Sequence, residues 1–106
     1  MARALINVPK QARKGETIEI KVLISHPMES GQRRDNVGQI IPRDIIHSFV
    51  CRYNDQEVLR AELFPAIAAN PFLAFTTVAQ DSGTISFTWV DDHGTEQTES
   101  VAITVT

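Results

Sequence analysis

The sequence predicts an all-β protein, an immunoglobulin-like β-sandwich of about seven antiparallel strands. Apolar and polar residues alternate with a period of two in several short segments, which is the pattern of a strand with one buried face. Gly and Asp clusters separate these segments where the chain must reverse direction. Seven short strands within 106 residues match the size of an immunoglobulin-like sandwich, so a single domain is expected over residues 1–106.

Two segments show the alternation most clearly. Residues 17–24 have Ile or Val at every even position and polar residues at positions 17, 19 and 21. Residues 84–90 have Ile85, Phe87 and Trp89 on one face and Thr84, Ser86 and Thr88 on the other. Each segment predicts a strand that buries one face and leaves the other in water.

A β-hairpin is predicted in the middle of the chain. Residues 45–53 alternate, and the turn formers Asn54 and Asp55 separate them from another alternating run at residues 58–63. The inward side chains are expected to be Ile45, His47, Phe49, Cys51 and Tyr53 in the first strand and Leu59, Ala61 and Leu63 in the second.

The rest of the chain adds strands and no long helix. Further strand candidates are residues 4–8, 72–79 and 99–105. No window of 11 or more residues has a convincing 3.6-residue period. Residues 65–70 are compatible with one short helical turn, which Pro71 would end.

Composition excludes several classes of function. The net charge is −3 and the acidic and basic residues are spread along the chain, so neither a concentrated basic face nor a nucleic-acid partner is expected.

A single cysteine precludes an internal disulfide. No apolar run approaches the roughly 20 residues that span a bilayer, so no membrane partner is expected, and the start of the sequence lacks the pattern of a signal peptide.

No catalytic or metal-binding residues are predicted. Cys51 can be considered as a nucleophile with a histidine base, but it shares an inward face with Phe49 and Tyr53, which favours a buried structural cysteine. A copper site needs grouped His, Cys and Met ligands, and the spacing of His26, His47 and His93 does not supply them. No cofactor is therefore expected.

Residues 25–43 form the longest irregular stretch, and the first functional hypothesis falls there because loops of this length are often functional. Glu29, Arg33 and Arg34 allow two interpretations. They form either a solvated loop with weak surface ion pairs or a recognition loop whose arginines dock on a polar partner.

Residues 64–75, FPAIAANPFLAF, are unusually apolar for a connecting segment. Core packing and contact with a partner explain this composition equally well. Phe72 and Phe75 are the candidate apolar anchors for a partner.

Four segments resemble the SoxZ family: LISHPMESGQRRD at residues 23–35, IPRDII at 41–46, FPAIAANPFLAF at 64–75 and FTWVDDHG at 87–94. The resemblance extends over residues 14–105. It implies an immunoglobulin-like, non-catalytic subunit of a thiosulfate-oxidation carrier complex, which pairs with SoxY as a heterodimer or higher assembly and helps dock other Sox enzymes transiently. In that family the sulfur intermediates are held on a cysteine in the Gly-rich C-terminal tail of SoxY.

The family also implies a location and a set of partner-binding residues. Such subunits are expected in the periplasm, exported together with SoxY and without a signal peptide of their own, so the internal pair Arg33 and Arg34 is not interpreted as an export signal. Self-association of the isolated chain is compatible with this role. The partner-binding candidates are His26, Met28, Glu29, Arg33, Arg34, Phe72 and Phe75.

Two alternatives remain at this point. A generic immunoglobulin-like binding module predicts a stable monomer with no affinity for a Gly-rich, cysteine-tailed protein. An enzyme or redox protein that uses Cys51 predicts a reactive thiol of low pKa in the folded state.

Overall fold

A computed structural model describes residues 3–106. The chain forms eight strands: β1 (Arg3–Asn7), β2 (Gln11–Ala12), β3 (Thr17–Ser25), β4 (Ile46–Tyr53), β5 (Gln56–Glu62), β6 (Phe72–Val78), β7 (Gly83–Asp91) and β8 (Glu96–Val105). One sheet has three strands in the order β1-β3-β6, and the other has five in the order β2-β8-β7-β4-β5. The all-β sandwich prediction is confirmed.

Side chains from the inner faces of the two sheets form the core. β3 buries every even position from Ile18 to Ile24, with at most 2% of each exposed, as the alternation predicts. From the larger sheet, β7 contributes Phe87 and Trp89, and β4 contributes Phe49. The Phe49 ring lies 6.3 Å, centroid to centroid, from both Phe87 and Phe75, so aromatic contacts join the sheets near the middle of the sandwich.

The predicted β4–β5 hairpin is confirmed. Asn54 and Asp55 both have positive φ, at 49° and 67°, which is the backbone of a two-residue type I′ turn. The Asn54 side chain packs so closely on Gly83 that a Cβ there would lie 1.8 Å from its Oδ1. Asn54 Oδ1 also accepts a hydrogen bond from the Thr84 N–H at 3.0 Å, and this ties the hairpin to the start of β7.

Three details differ from the sequence-based prediction. The two-residue strand β2 pairs in parallel with β8, and it is too short to give a periodic signal. β8 starts at Glu96 because its polar first residues continue the ladder with β7. The chain around Pro65 makes a single turn, in which the Ile67 N–H bonds to the Phe64 carbonyl, and it forms no helix.

The molecule is elongated, with extents of 59 × 20 × 19 Å. A ten-residue strand spans only about 33 Å. A single strand therefore does not span the full length of the molecule. Among the residues described, no helix is long and apolar enough to cross a membrane.

The core contact of Phe49 gives a stability prediction. Phe49→Ala should lower the free energy of unfolding by about 3–5 kcal/mol, because it removes a fully buried ring and leaves a cavity. Phe72→Ala is the matched control, since 59% of Phe72 is exposed, and it should cost less than about 1 kcal/mol. Denaturant unfolding of the two variants measures both values, and equal losses would contradict the core assignment.

Candidate functional site

His26 follows β3 and anchors the base of the long loop, residues 26–45. Its backbone N–H donates to Asn70 Oδ1 at 3.1 Å, and its carbonyl accepts from the Asn70 N–H at 2.8 Å. Only 6% of the residue is exposed. The long loop is therefore clamped at its first residue to the segment that leads into β6.

The His26 ring faces two carboxylates. Its Nδ1 accepts the Met28 N–H at 2.9 Å, which assigns the ring proton to Nε2. Nε2 lies 3.6 Å from Asp44 Oδ1 and 4.0 Å from Asp91 Oδ2. The proton on Nε2 thus faces negative charge contributed by two other parts of the chain.

His26, Asp44 and Asp91 are residue types that can ligate a metal ion. Their ligand atoms lie within 4.8 Å of one another, which is a spacing that a cation can use. A bound cation would need the lone pair of His26 Nε2, and the ring proton would then have to move to Nδ1, where it would oppose the Met28 N–H. The proton on Nε2 therefore favours an N–H group that faces two carboxylates, and it disfavours coordination of a metal ion by His26.

Met28 and Glu29 close the base of the loop. Met28 is buried with a positive φ of 50°, and its sulfur accepts the Ile46 N–H at 3.3 Å. Glu29 and Asp44 exchange two backbone hydrogen bonds, at 2.8 and 2.9 Å. The two arms of the loop are thus joined like a short, irregular hairpin.

A bidentate ion pair fixes the returning arm of the loop to the β7–β8 turn. Arg43 Nε and one of its terminal nitrogens donate to the two carboxylate oxygens of Asp92, both at 2.8 Å. Asp92 Oδ2 also accepts the Ile45 N–H at 3.1 Å. Partial burial acts to raise the pKa of Asp92, but the bonds from Arg43 and Ile45 outweigh it and hold that pKa below its ordinary value.

The two predicted loop arginines are exposed but held in place. Arg33 pairs with Glu29 through contacts of 2.6 and 3.3 Å, which lower the pKa of Glu29 and raise that of Arg33. Arg34 donates to the Gly38 carbonyl at 2.7 Å. The loop thus presents two guanidinium groups on a backbone that is bridged below them, between Arg34 and Ile40 as well as at the base.

The structure separates the seven predicted partner-binding residues into buried and accessible sets. His26 and Met28 are buried and hold the loop together, and Phe75 is half-buried against Phe49. The side chains available to another protein are those of Arg33, Arg34 and Phe72, together with a small part of Glu29.

The apolar segment 64–75 lies partly in the core and partly on the surface. Pro71 is buried and Phe75 packs on the core. Phe64 and Phe72 are 61% and 59% exposed. Part of the segment therefore completes the core and part of it is surface.

Sequence reasoning missed the partners of the loop. Arg43 and Asp92 are 49 positions apart, and Asp44 received no role at all. Asp91 lies at the β7–β8 turn and accepts the N–H groups of His93 and Thr95 at 2.9 and 3.1 Å. No local pattern in the sequence shows that the same turn also receives the loop.

Cys51 lies in the core with no exposed surface. Desolvation by burial raises the pKa of its thiol to about 11. A nucleophilic cysteine needs the opposite shift, because the thiolate is the reactive form.

The family is decided by sequence. A family model described as "Sulphur oxidation protein SoxZ" matches residues 6–102. The chain belongs to the SoxZ family. No curated protein matches it.

Solved structures match this SoxZ-family chain at the level of fold. A superoxide reductase (neelaredoxin) from Ignicoccus hospitalis has TM-score 0.74 and 16% identity, covering 97% of this chain and 80% of that one. The sulfur carrier protein SoxY from Chlorobium limicola f thiosulfatophilum has TM-score 0.68 and 12% identity, covering 97% and 78%. The same sandwich thus occurs in proteins with different names and functions.

The Arg43–Asp92 pair predicts a pH dependence of stability. Because the pKa of Asp92 is lower when folded, its charged form stabilises the fold above the ordinary carboxyl value of 3.8, and this contribution is lost as the pH falls through the folded value. Asp92→Asn should lower the free energy of unfolding at pH 7 by roughly 1 kcal/mol or less, and the difference from wild type should vanish in acid. Denaturant unfolding from pH 7 to pH 2 measures it.

Asp81→Asn is the control, because Asp81 is exposed. Its difference from wild type should be small at every pH. A constant deficit of Asp92→Asn down to the lowest pH would contradict the assigned role of the carboxylate.

The buried thiol gives a second prediction. At pH 7 a thiol of pKa about 11 is ionised in only about one molecule in ten thousand, so Cys51 should react with a maleimide only when the chain unfolds. A Cys51→Ala chain carrying Ala102→Cys is the matched control, because Ala102 is exposed on β8. Rapid labelling of native Cys51 would revive the hypothesis of a reactive thiol.

Proposed function

We propose that this chain is the non-catalytic subunit of a sulfur carrier complex, where it binds a SoxY-like subunit that bears the carrier cysteine. Its role in sulfur oxidation follows from membership of the SoxZ family, and the match over residues 6–102 is the observation that carries the proposal. The fold shared with a solved SoxY is compatible with two similar sandwiches packing as one complex.

The chemistry of the chain supports a binding role. Its cysteine is buried with a raised thiol pKa, and His26 is committed to the Met28 N–H on one side and faces carboxylates on the other. The accessible side chains of the long loop include two guanidinium groups, which suit recognition of a polar surface, and two apolar side chains, Val37 and Ile40. The chemistry on sulfur is assigned to the partner and to the enzymes that act on it.

We further propose that the complex works in the periplasm and that this subunit is exported with its partner. This location is the one that the resemblance to the SoxZ family implies. Within the complex, the long loop serves as a docking surface for pathway enzymes that visit the carrier arm.

Analytical ultracentrifugation tests the partner. The chain is sedimented alone and mixed with a SoxY-like protein that ends in Gly-Gly-Cys-Gly-Gly. A one-to-one heterodimer at micromolar concentration is expected. Independent sedimentation of the two species would overturn the proposal and favour the generic immunoglobulin-like binding module.

The docking role of the loop predicts an effect on turnover without an effect on assembly. Arg33→Ala with Arg34→Ala should slow thiosulfate oxidation by a reconstituted Sox system by about tenfold at low ionic strength, since charge complementarity acts mainly on the rate of encounter. The heterodimer should sediment unchanged.

The matched control is Lys10→Ala with Arg13→Ala. These residues flank β2, beside the end of β8 and away from the long loop. Their substitution removes the same charge of +2. If both double variants slowed the reaction equally, the effect would come from the change in net charge. That result would contradict the docking role of the loop.

A further inference from the structure

β6 differs from the other edge strands of the two sheets. It pairs only with β3, and its seven residues, FLAFTTV, include no charge and no proline. The edge strand β5 carries Glu57, Arg60 and Glu62, β1 begins with Arg3, and β2 has only two residues. Charged and short edges resist the addition of another strand, whereas a long uncharged edge invites it.

The pairing with β3 shows which backbone groups of β6 are free. At the two ends of the strand, the Pro71 carbonyl accepts the Ile24 N–H at 3.0 Å and the Ala79 N–H donates to the Glu16 carbonyl at 2.8 Å. Hydrogen bonding alternates along an antiparallel strand, so the odd-numbered residues bond to β3 and the even-numbered residues point the other way. The outward set is Phe72, Ala74, Thr76 and Val78.

In the described part of the chain, these four residues therefore present four N–H and four C=O groups along the free edge of β6. Their side chains are also the exposed set of the strand. An open groove of about 730 Å³ runs between β5 and the Thr76–Val78 end of β6. The edge is thus open at this end, and its four outward-pointing residues are exposed along the strand.

The outer face beside this edge is apolar. Leu23 of β3 is the register partner of both Leu5 on β1 and Phe72 on β6. Leu5 is 73% exposed and Phe72 59%, so an apolar row crosses all three strands and ends at the free edge. Val78, at the other end of β6, is 44% exposed.

We propose that the free edge of β6 is the surface to which the SoxY-like partner adds a strand. This inference rests on the proposed function and names its interface. The partner segment is an extended, uncharged strand of about seven residues, with an apolar side chain placed to continue the row beside Phe72. Backbone pairing of this kind gives affinity, and the side chains on the outer face give selectivity.

The fold supports this occupant. A solved SoxY has the same sandwich over 97% of this chain, so a SoxY-like partner has edge strands of similar length to offer. An antiparallel strand centred opposite Phe75 would engage all four outward-pointing residues. The three-stranded sheet would then continue into the partner.

Residue-resolved hydrogen exchange tests the pairing directly. The labelled chain is measured alone and in the heterodimer. The amides of residues 72, 74, 76 and 78 should gain at least about tenfold protection, while those of 73, 75 and 77, already bonded to β3, should change much less. This alternation is specific to an added strand, because general burial would protect neighbours alike.

Proline substitution supplies the matched variants. Thr76→Pro removes an N–H on the free edge and leaves the bonds to β3 intact, and it should weaken the heterodimer at least about tenfold. Arg60→Pro makes the same change on the free edge of β5, and it should alter the affinity by less than about threefold. Ala74→Lys, which charges the edge without touching the backbone, should weaken binding as well and serves as the second test if the proline variant fails to fold.

The outcomes separate the two proposals. A heterodimer that forms without protecting the even amides, or that tolerates Ala74→Lys, overturns the β6 interface and leaves the partner assignment standing. If the even-numbered amides of the unmixed chain become more protected as its concentration rises, a second copy of the chain occupies the edge. That result would overturn the assignment of the edge to SoxY. Failure of the wild-type chain to bind overturns both.

Discussion

The packing of one sheet on the other is the contact on which the rest of the structure depends. Alternate residues of β3 and β7 are almost completely buried where the inner faces meet. A strand turns successive side chains to opposite faces, so burying one set commits the other set to the outside. Leu5, Leu23 and Phe72 lie on the outer face for this reason, although water is a poor environment for them. The core thus creates the apolar row that borders the β6 edge.

The same packing places the ends of β3, β4 and β7 close together, and the long loop is attached to all three. His26 follows β3, Asp44 precedes β4, and Asp92 follows β7. The His26 imidazole, two backbone hydrogen bonds between Glu29 and Asp44, and a bidentate ion pair hold the loop at its base. A braced loop loses less conformational entropy when it meets a partner, so its exposed arginines are suited to repeated, transient contacts.

The distribution of charge completes the functional interpretation. Arg33 and Arg34 are exposed on the long loop between β3 and β4, whereas the uncharged β6 is an edge of the three-stranded sheet. The chain therefore has two surfaces of different chemistry, one for each of the two proposed kinds of contact, with a stable partner and with visiting enzymes. A buried cysteine of raised thiol pKa is compatible with the proposed non-catalytic role. The superoxide reductase neighbours share the sandwich fold with this chain. Identity near 16% shows a shared fold and gives no information about the function of this chain.

By itself the sequence determined the fold class, seven of the eight strands, the β4–β5 hairpin and the family, because strand periodicity, turn chemistry and the runs around His26 and Trp89 are local signals. It also determined that Cys51 faces inward, since alternation assigns faces. Only the tertiary structure decided that His26 and Met28 are internal braces, that Asp92 holds Arg43, and that β6 is an edge. Those facts depend on which distant segments meet, and pairing between strands is set by the packing of the whole chain, which no local pattern records.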